Sequence, residues 1–540
     1  REASNFKIFV WNANMQPIGV YSASNYEDRD TALKNIKSIY SSDTTNILTC
    51  QSPWKLETYP AKITEELILA PLAEVLETNI DVYSMQAGLC WVPWWPSEVY
   101  PVEEHIKWFH ENVRENSSNI WLNYVLNGGD MILDSLNYAK ENGKDFMLSF
   151  RLNDVHQKSD AFDDSKARIE SVPRFYREHP EYLVGDDPNQ ASYGRYVQDW
   201  QHEEVREYKL SLIEEIIENY DIDGIELDFL RSTVLFNTTT TTESQRDEIM
   251  LNVIKRVRAA LDKKPGRYRY LCVRIPAHIY CHDAIGVDVR AFADAGVDIF
   301  NISTYYCTEQ VTSLKEIKEL AGDSLVIFEM SYATGLGKTE SGASSLRRAT
   351  KEQLNTTAYL AYKDGADGIS LFNFQYYREQ LGLDDPPYSE PPFEIIDGLT
   401  DLDYLSTCQQ HYYFAENHRD PKKPSWPLPK TAAAGKNVTW EFQLAAPKGG
   451  WSKNGKFRIH AKQDISECEF VLKINGTALS EMNDVSEPYP NMYIQITGAP
   501  KCIKAWEIPA GILEEGSNAV TLTLLGGSDV VIEYVDLAIQ

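Results

Sequence analysis

The sequence predicts an α/β protein, a (β/α)8 TIM barrel followed by an all-β, jelly-roll-like sandwich domain. Between the N-terminus and about residue 378, eight short apolar segments alternate with helical stretches, which is typical of a parallel sheet closed into a barrel. Beyond a proline- and lysine-rich stretch at 417–430, short strands alternate with turn residues. We therefore predict a barrel at 1–415, a linker at 416–432 and a sandwich, accessory or carbohydrate-binding-like, at 433–540.

Eight apolar segments are the predicted barrel strands. They lie at 6–12, 80–88, 145–154, 222–229, 269–277, 297–306, 324–333 and 366–375. Helical spacing of apolar residues between them indicates helices at 202–220, 243–263 and 351–365. An open doubly wound sheet is the alternative. However, the sequence has no GxGxxG after the first strand and no GxxxxGK[ST], so nucleotide binding lacks support.

The net charge and the absence of long apolar runs in the sequence limit the kinds of partner that this protein could bind. The net charge of −28 argues against nucleic acid and anionic membrane surfaces. No apolar run approaches the roughly 18 residues that span a bilayer, so we expect no membrane insertion; the oligomeric state stays open. The chain begins at Arg1 without a signal-like segment, so we expect a secreted or periplasmic protein whose signal has been removed.

The cysteines argue against a disulfide scaffold and a zinc site. The eight cysteines are scattered, and none forms a metal-type CxxC pair. We expect isolated buried thiols, with Cys468–Cys502 and Cys272–Cys281 as possible pairs. No metal and no cofactor is predicted.

The segment YDIDGIELDFLRS at 220–232 carries two acids on one predicted strand. Because side chains alternate along a strand, Glu226 and Asp228 share one face, and Ile225, Leu227 and Phe229 occupy the other. A fully buried strand is normally apolar on both faces. The two acids therefore require water, a partner or chemistry.

The same parity gives other predicted strands a polar inner face. The residues expected inside the barrel are Ser149, Arg151, Asn153, Glu226, Asp228, Cys272, Arg274, Asn301, Ser303, Tyr305, Glu329 and Ser331. A structural barrel core is mostly valine, isoleucine and leucine. We therefore expect a functional pocket at the C-terminal ends of the strands, with the long insertion at 155–201 on the same face. The alternative is a set of structural ion pairs.

Within this pocket, Asp228 and Glu329 are the candidate catalytic acids. Glycoside cleavage needs two facing carboxyl groups, one that protonates the leaving oxygen and one that attacks the sugar or activates water. Glu226 lies one layer deeper. Asp154 and His156, just past the third strand, would position hydroxyls or act as acid and base, or they are structural.

Arginines and aromatic residues complete the predicted site. Arginines at strand ends would clamp sulfate or uronate groups, or would simply pair with the acids. Tryptophans in CWVPWWPSEVY and tyrosines in FQYYR would stack on sugar faces, or pack in the core. The predicted substrate-binding residues are Arg151, Asn153, Asp154, His156, Glu226, Arg231, Arg274, Tyr305, Trp94, Trp95 and Arg378.

The motifs DGIELDFLR and RLNDVH, the helix that runs directly into YDIDGIELD, and the trailing sandwich together resemble the family 10-like glycosylhydrolases over most of residues 1–415. The resemblance implies a (β/α)8 enzyme of polysaccharide-degrading bacteria. In the retaining clan it implies Asp228 as acid/base and Glu329 as nucleophile. The Asn-Glu pair of that clan is Leu227-Asp228 here, and the amylase-like pattern would make Asp228 the nucleophile.

The segments VLKINGTALS and GSNAVTLTLLG are similar to jelly-roll modules that accompany glycosidases, and some members of the group act on sulfated algal galactans such as carrageenan. The sequence thus predicts a two-carboxylate glycoside hydrolase acting on a polysaccharide or oligosaccharide, with an anionic glycan such as an algal galactan as one candidate substrate. The alternatives are a non-catalytic glycan-binding protein of a polysaccharide-utilisation system, and a lyase.

Overall fold

The computed structural model describes residues 7–11, 17–22, 28–50, 60–338, 344–378, 390–415, 427–490 and 499–539. Within these ranges, no helix is both long enough and apolar enough to cross a membrane. The eight cysteines form no disulfide, so the two suggested pairs do not form. Half of them are buried as expected, namely Cys50, Cys90, Cys272 and Cys307, and the other four are partly exposed.

The first barrel strand lies later in the chain than the sequence predicts. Strands β1 (Lys7–Trp11) and β2 (Pro17–Ser22) pair with one another as a separate antiparallel hairpin. The prediction of a barrel strand at 6–12 is therefore wrong, and the barrel begins with β3 (Ser38–Ser42). Its sequence SIYSS contains three serines, so a search for apolar runs passes over it.

The predicted closed barrel of eight parallel strands is confirmed. Neighbouring strands follow the chain order, and the last closes against the first. After β3 the barrel strands are β4 (Val82–Gln86), β5 (Asp145–Arg151), β6 (Gly224–Asp228), β7 (Tyr270–Pro276), β8 (Ile299–Ser303), β9 (Leu325–Ser331) and β12 (Gly368–Phe372). Between the last two, β10 (Ala333–Lys338) and β11 (Ser344–Arg348) form a hairpin.

Helices precede, connect and follow the barrel strands. In chain order they are α1 (Arg29–Leu33), α2 (Asn46–Thr49), α3 (Glu65–Ala73), α4 (Val102–Asn112), α5 (Ile120–Leu126), α6 (Met131–Glu141), α7 (Arg174–Glu178), α8 (Glu203–Asn219), α9 (Glu243–Lys263), α10 (Val289–Asp294), α11 (Leu314–Ala321), α12 (Lys351–Lys363) and α13 (Leu402–Leu405). The three helices predicted from periodicity are α8, α9 and α12. Capping boxes at Thr242 and Thr350 fix where α9 and α12 begin.

The C-terminal region consists of two antiparallel sheets. One contains β13 (Gln410–Ala415), β14 (Lys430–Ala432), β16 (Gly455–Ala461), β19 (Ser480–Met482), β20 (Ile503–Ile508) and β22 (Val530–Ile539). The other contains β15 (Asn437–Leu444), β17 (Glu469–Ile474), β18 (Thr477–Ala478) and β21 (Gly516–Gly526). Alternating burial along β15 places one of its faces in the core, as a sandwich requires.

Strand pairing shifts the start of this sandwich relative to the predicted domains. Strand β13 lies within 1–415, yet it pairs with β22 and so belongs to the sandwich sheet. In the predicted linker, β14 also pairs with β22, and residues 416–426 lie outside the described residues. The sandwich also contacts the barrel directly, since Gln353 of α12 donates to the Tyr534 hydroxyl at 2.9 Å.

Candidate active site

The register of the barrel strands places charged residues in one row. Arg151 of β5 lies beside Asp228 of β6, which lies beside Arg274 of β7, followed by Asn301 of β8. Because parallel neighbours share this level, opposite charges alternate around the barrel wall. The predicted polar interior therefore exists at this level, and it is internally paired.

Arg274 lies between the two predicted catalytic acids. Its Nε and Nη2 donate to Glu329 Oε2 and Oε1 at 2.7 and 2.6 Å, a bidentate geometry. Its Nη1 donates to the two oxygens of Asp228 at 3.1 and 3.0 Å. None of the three side chains is more than 2% exposed. Asp228 and Glu329 thus bond to the same guanidinium, which lies between them.

Glu226 occupies the layer below, and it does not reach solvent. It accepts hydrogen bonds from Ser149 Oγ at 2.7 Å and Asn301 Nδ2 at 3.0 Å, and the Cys272 thiol lies 3.5 Å away. Burial, and then the charge of Asp228, raise the pKa of Glu226 to about 7. A carboxyl group this deep acts on the row above it rather than on a substrate.

Gly224 of the DGIELD motif has a packing role. A side chain there would collide with the ring of Tyr270 on the adjacent strand. The glycine lets β6 and β7 pair at the register that aligns Asp228 with Arg274. Within the DGIELD motif, Gly224 thus allows the close packing of two strands, and Asp228 belongs to the charged row.

A cavity of about 670 Å³ opens at the C-terminal ends of β5 to β8. This is the face of a TIM barrel that carries active sites. Its ionisable and aromatic lining residues are His156, Lys158, Tyr193, Arg231, His278, Cys281, Tyr305, Tyr306 and Glu309. Three of them come from the insertion at 155–201, so the expectation that this insertion lies on the active face is confirmed.

Ser303 connects this cavity to the buried acids. It lines the cavity, and its hydroxyl donates to Glu329 Oε1. It also accepts from Arg274 Nη2 at 3.1 Å. Asp228 and Glu329 do not themselves line this cavity. Glu329 bonds directly to the lining residue Ser303, and Asp228 is linked to Ser303 through Arg274.

Asp154 and His156 form a pair beside the cavity. The Asp154 carboxylate contacts His156 Nδ1, and Arg151 and Arg231 lie 3.4 and 3.9 Å from it. Although burial favours the neutral acid, His156 and the two arginines hold the pKa of Asp154 well below its usual range. Arg231 Nη2, which can only donate, lies 2.5 Å from His156 Nε2. His156 therefore accepts at Nε2 and directs its Nδ1 proton towards Asp154.

Cys90, Asp154 and His156 are the described residues that could each offer a ligand atom to a metal ion. Two observations disfavour a cation there. The guanidinium groups of Arg151 and Arg231 lie within 4 Å of Asp154, and burial raises the pKa of the Cys90 thiol, which must ionise to bind metal. The set fits a hydrogen-bonded cluster better than a metal centre.

Three of the four predicted clamp arginines are in buried ion pairs. Arg151 bonds to Asp43 at 2.7 Å, and Arg274 holds the acids described above. Arg378 bonds to Glu74 and Glu390 at 2.7 Å each. These three side chains are 1–3% exposed, so they cannot clamp a substrate anion in this conformation. Arg231, with 21% of its side chain exposed, lines the cavity.

The predicted tryptophan platform is part of the core. Trp94 stacks on Trp121 with ring centroids 4.7 Å apart, and Trp95 donates to Glu215 Oε2 at 3.2 Å. Each is 2% exposed. Asn153 is also internal, since its amide donates to the Gln198 carbonyl at 3.0 Å and accepts from Lys209 at 2.9 Å. These three side chains are therefore structural rather than substrate-binding in this conformation.

Sequence reasoning missed several residues of the cavity. They are Lys158, Tyr193, His278, Tyr306 and Glu309. His278 and Glu309 hydrogen-bond at 2.9 Å from loops that follow β7 and β8. Loop residues show no periodic pattern. Both residues do follow predicted strands with polar inner faces, and that position in the sequence could have indicated them as cavity residues. Asp43 was missed because β3 was missed.

No protein-family model and no curated protein sequence matches the chain. Membership of the family 10-like glycosylhydrolases therefore stays a prediction. Among solved structures, a maltogenic α-amylase from Thermotoga neapolitana matches at 12% identity and TM-score 0.37, over 90% of this chain and 99% of that chain.

Two further solved structures are similar at the same level. An α-galactosidase from Geobacillus stearothermophilus has 12% identity and TM-score 0.37, over 89% of this chain and 56% of that chain. Endo-glycoceramidase II from Rhodococcus sp. has 12% identity and TM-score 0.35, over 90% and 97%.

Proposed function

We propose that this protein is a glycoside hydrolase that cleaves an oligosaccharide or polysaccharide at the C-terminal mouth of its barrel. The observation that carries this proposal is the cavity of about 670 Å³ lined by acid, imidazole, guanidinium and phenol groups. Concave sites with a few convergent polar groups are where small ligands bind. Hydroxyl-rich sugars require such mixed donors, acceptors and aromatic faces.

Asp228 and Glu329 are the proposed catalytic acids. Both bond to Arg274 beneath the cavity, where the lining residue Ser303 bonds to Glu329. A sugar that displaced the Ser303 hydroxyl would take its place beside Glu329. Arg274 holds both carboxylates in fixed positions, which is the preorganisation that a two-carboxylate reaction requires.

An anionic glycan is the proposed substrate class. In a chain of net charge −28, the cavity lining carries Arg231 and Lys158 against one carboxylate, that of Glu309. Guanidinium groups bind sulfate and carboxylate oxyanions through paired hydrogen bonds. Action on such a polymer accords with export from the cell, which we include in the proposal.

The test is the release of reducing sugar from neutral, uronate-bearing and sulfated glycans. We expect activity on an anionic glycan, and a loss of at least about 100-fold in kcat for Asp228→Asn and for Glu329→Gln, as for groups that act in the transition state. Because both acids are buried beside Arg274, each variant is compared with wild type by thermal unfolding first. Full activity of both folded variants would refute the catalytic assignment.

A non-catalytic glycan-binding protein is the second candidate function. The ion pairing of both acids with Arg274, at 1–2% exposure, favours it, because carboxylates neutralised in the interior do not reach a substrate. Calorimetric binding of a glycan without product after prolonged incubation would establish this function and exclude hydrolysis.

A further inference from the structure

The loop after β8 carries Glu309, the carboxylate that lines the cavity. Its side chain is 12% exposed, and it accepts from His278 Nε2 at 2.9 Å. The preceding residue, Thr308, is fixed to the barrel, since its hydroxyl donates to the Ser331 carbonyl at 2.7 Å and its amide donates to the Ala333 carbonyl at 2.6 Å. One side of the loop is therefore tied to the end of β9.

The sandwich strand β13 holds both flanks of Glu309. The Tyr413 hydroxyl donates to the Thr308 carbonyl at 2.6 Å, and the Tyr413 amide donates to Gln310 Oε1 at 3.0 Å. Gln310 Nε2 in turn donates to the His411 carbonyl at 3.1 Å. The residues on either side of Glu309 thus bond to one strand of the other domain.

Strand β13 is itself rigidly held. It pairs with β22 along its length. The Tyr413 ring stacks on Tyr534 of β22 at 6.2 Å and 14°, and the guanidinium of Arg347 covers Tyr534 at 3.7 Å. Because Tyr413 is 3% exposed, its hydrogen bond to Thr308 is shielded from water.

We propose that the sandwich is a structural part of the active site, in which β13 holds the loop that presents Glu309 to the substrate. In this assignment Glu309 accepts a hydrogen bond from a sugar hydroxyl, and Tyr413 is a positioning residue. The assignment rests on the proposed function, because it presumes a sugar in this cavity. A shift of about 1 Å in a positioned group is enough to lower activity strongly.

The experiment compares Tyr413→Phe with Tyr412→Phe in the full chain. Tyr412 is the matched control, since it is the adjacent residue of β13, is 1% exposed, and its hydroxyl bonds to the Ala445 carbonyl at 3.1 Å within the sandwich. Both variants lose one buried phenol hydroxyl, and that of Tyr412 also accepts from the Ala445 amide at 3.1 Å. The fall in unfolding midpoint of Tyr412→Phe should therefore be at least as large as that of Tyr413→Phe. Steady-state kinetics on the glycan that wild type cleaves, with kcat and KM separated, is the readout.

We expect Tyr413→Phe to lower kcat/KM at least fivefold and Tyr412→Phe to stay within twofold of wild type. Glu309→Gln should raise KM at least tenfold, because an amide carbonyl is a weaker acceptor than a carboxylate and the amide nitrogen can only donate. Equal kinetics of Tyr413→Phe and Tyr412→Phe, or an unchanged KM for Glu309→Gln, would overturn the assignment while wild-type cleavage upholds the proposed function. A wild-type protein without product on any glycan would refute the proposed function instead, and the assignment with it.

Discussion

Arg274 and Glu329 are joined by two hydrogen bonds of 2.7 and 2.6 Å in the interior of the barrel. The same guanidinium bonds to Asp228, so one cation serves two carboxylates. Phe372 covers that guanidinium from its face at 4.1 Å. The desolvated charges hold one another in place, and the loss of any member leaves an uncompensated charge.

Replacement of Arg274 by methionine should therefore destabilise the protein strongly. Glu329 would lose its bidentate ion pair in the interior, and Asp228 would keep the weaker contact with Arg151, whose Nε lies 4.0 Å away. Removal of one partner of a buried pair costs about 3–5 kcal/mol. We expect a loss of that size in the free energy of unfolding, measured by urea titration at neutral pH.

The control for this prediction is an exposed ion pair. Arg195 is 49% exposed and bonds at 2.9 Å to Asp186, which is 82% exposed. Surface pairs contribute at most about 1 kcal/mol, so Arg195→Met should be close to neutral. Equal losses in the free energy of unfolding of the two variants would show that the buried ion pairs of Arg274 contribute no more to stability than an exposed one.

Stability should decrease with rising pH because of Glu226. Its pKa in the folded protein is about 7, against a usual 4.5. The folded state therefore binds the proton more tightly than the unfolded state, so the contribution is present below pH 4.5 and is lost as pH rises through 7. The shift corresponds to about 3 kcal/mol.

Glu226→Gln is the comparison that isolates this effect, since glutamine keeps the shape and does not ionise. We expect the free energy of unfolding of wild type minus that of the variant to fall by about 2–3 kcal/mol between about pH 5 and pH 8. Glu74, whose pKa is also about 7, is present in both proteins and cancels. A difference that is constant with pH would contradict the prediction.

The fold could be predicted where local signals were strong. Helix α9 begins and ends where the periodicity placed it, at residues 243 and 263, because a capping box and an amphipathic face coincide. Strand β3 was missed because three of its five residues are serines. A polar strand such as this one is recognised by its pairing with neighbouring strands in the barrel. The pattern of apolar residues along the sequence does not contain that information.

The candidate site could be predicted only in part. Alternation along strands identified Asp228, Arg274 and Glu329 as inward-facing, because parity depends on the backbone alone. Parity does not reveal which inward groups neutralise one another. The pairing of Arg274 with both acids depends on the register between strands and on the closure of the barrel.

Truncation of Trp95 distinguishes a structural role in the core from the predicted role in stacking on sugars. Its ring is 2% exposed, meets Phe150 edge to face at 6.3 Å, and donates to Glu215. Truncation of a buried tryptophan costs about 3–5 kcal/mol. We expect Trp95→Ala to lose that much stability in urea titration, whereas Leu525→Ala, at a side chain that is 57% exposed, stays within about 0.5 kcal/mol. Unchanged stability together with weaker sugar binding would restore the stacking role.

Arg231 should bind the anionic groups of a sulfated or uronate-bearing substrate. Of the four arginines predicted at the barrel mouth, it is the one that lines the cavity, where its guanidinium bonds to the Tyr306 hydroxyl and to His156.

A hydrogen bond to a charged group contributes about 1.5–3 kcal/mol, and 1.4 kcal/mol is tenfold in affinity. Arg231→Gln should therefore raise KM for a sulfated or uronate-bearing glycan by at least about tenfold, with little change for a neutral one. The same loss should appear in wild type as ionic strength rises, because salt screens a charge that is in part exposed to solvent, and 21% of the Arg231 side chain is exposed. Arg195→Gln, which removes an exposed arginine outside the cavity, is the matched control. An equal loss on neutral and anionic glycans would mean that Arg231 shapes the cavity without recognising charge.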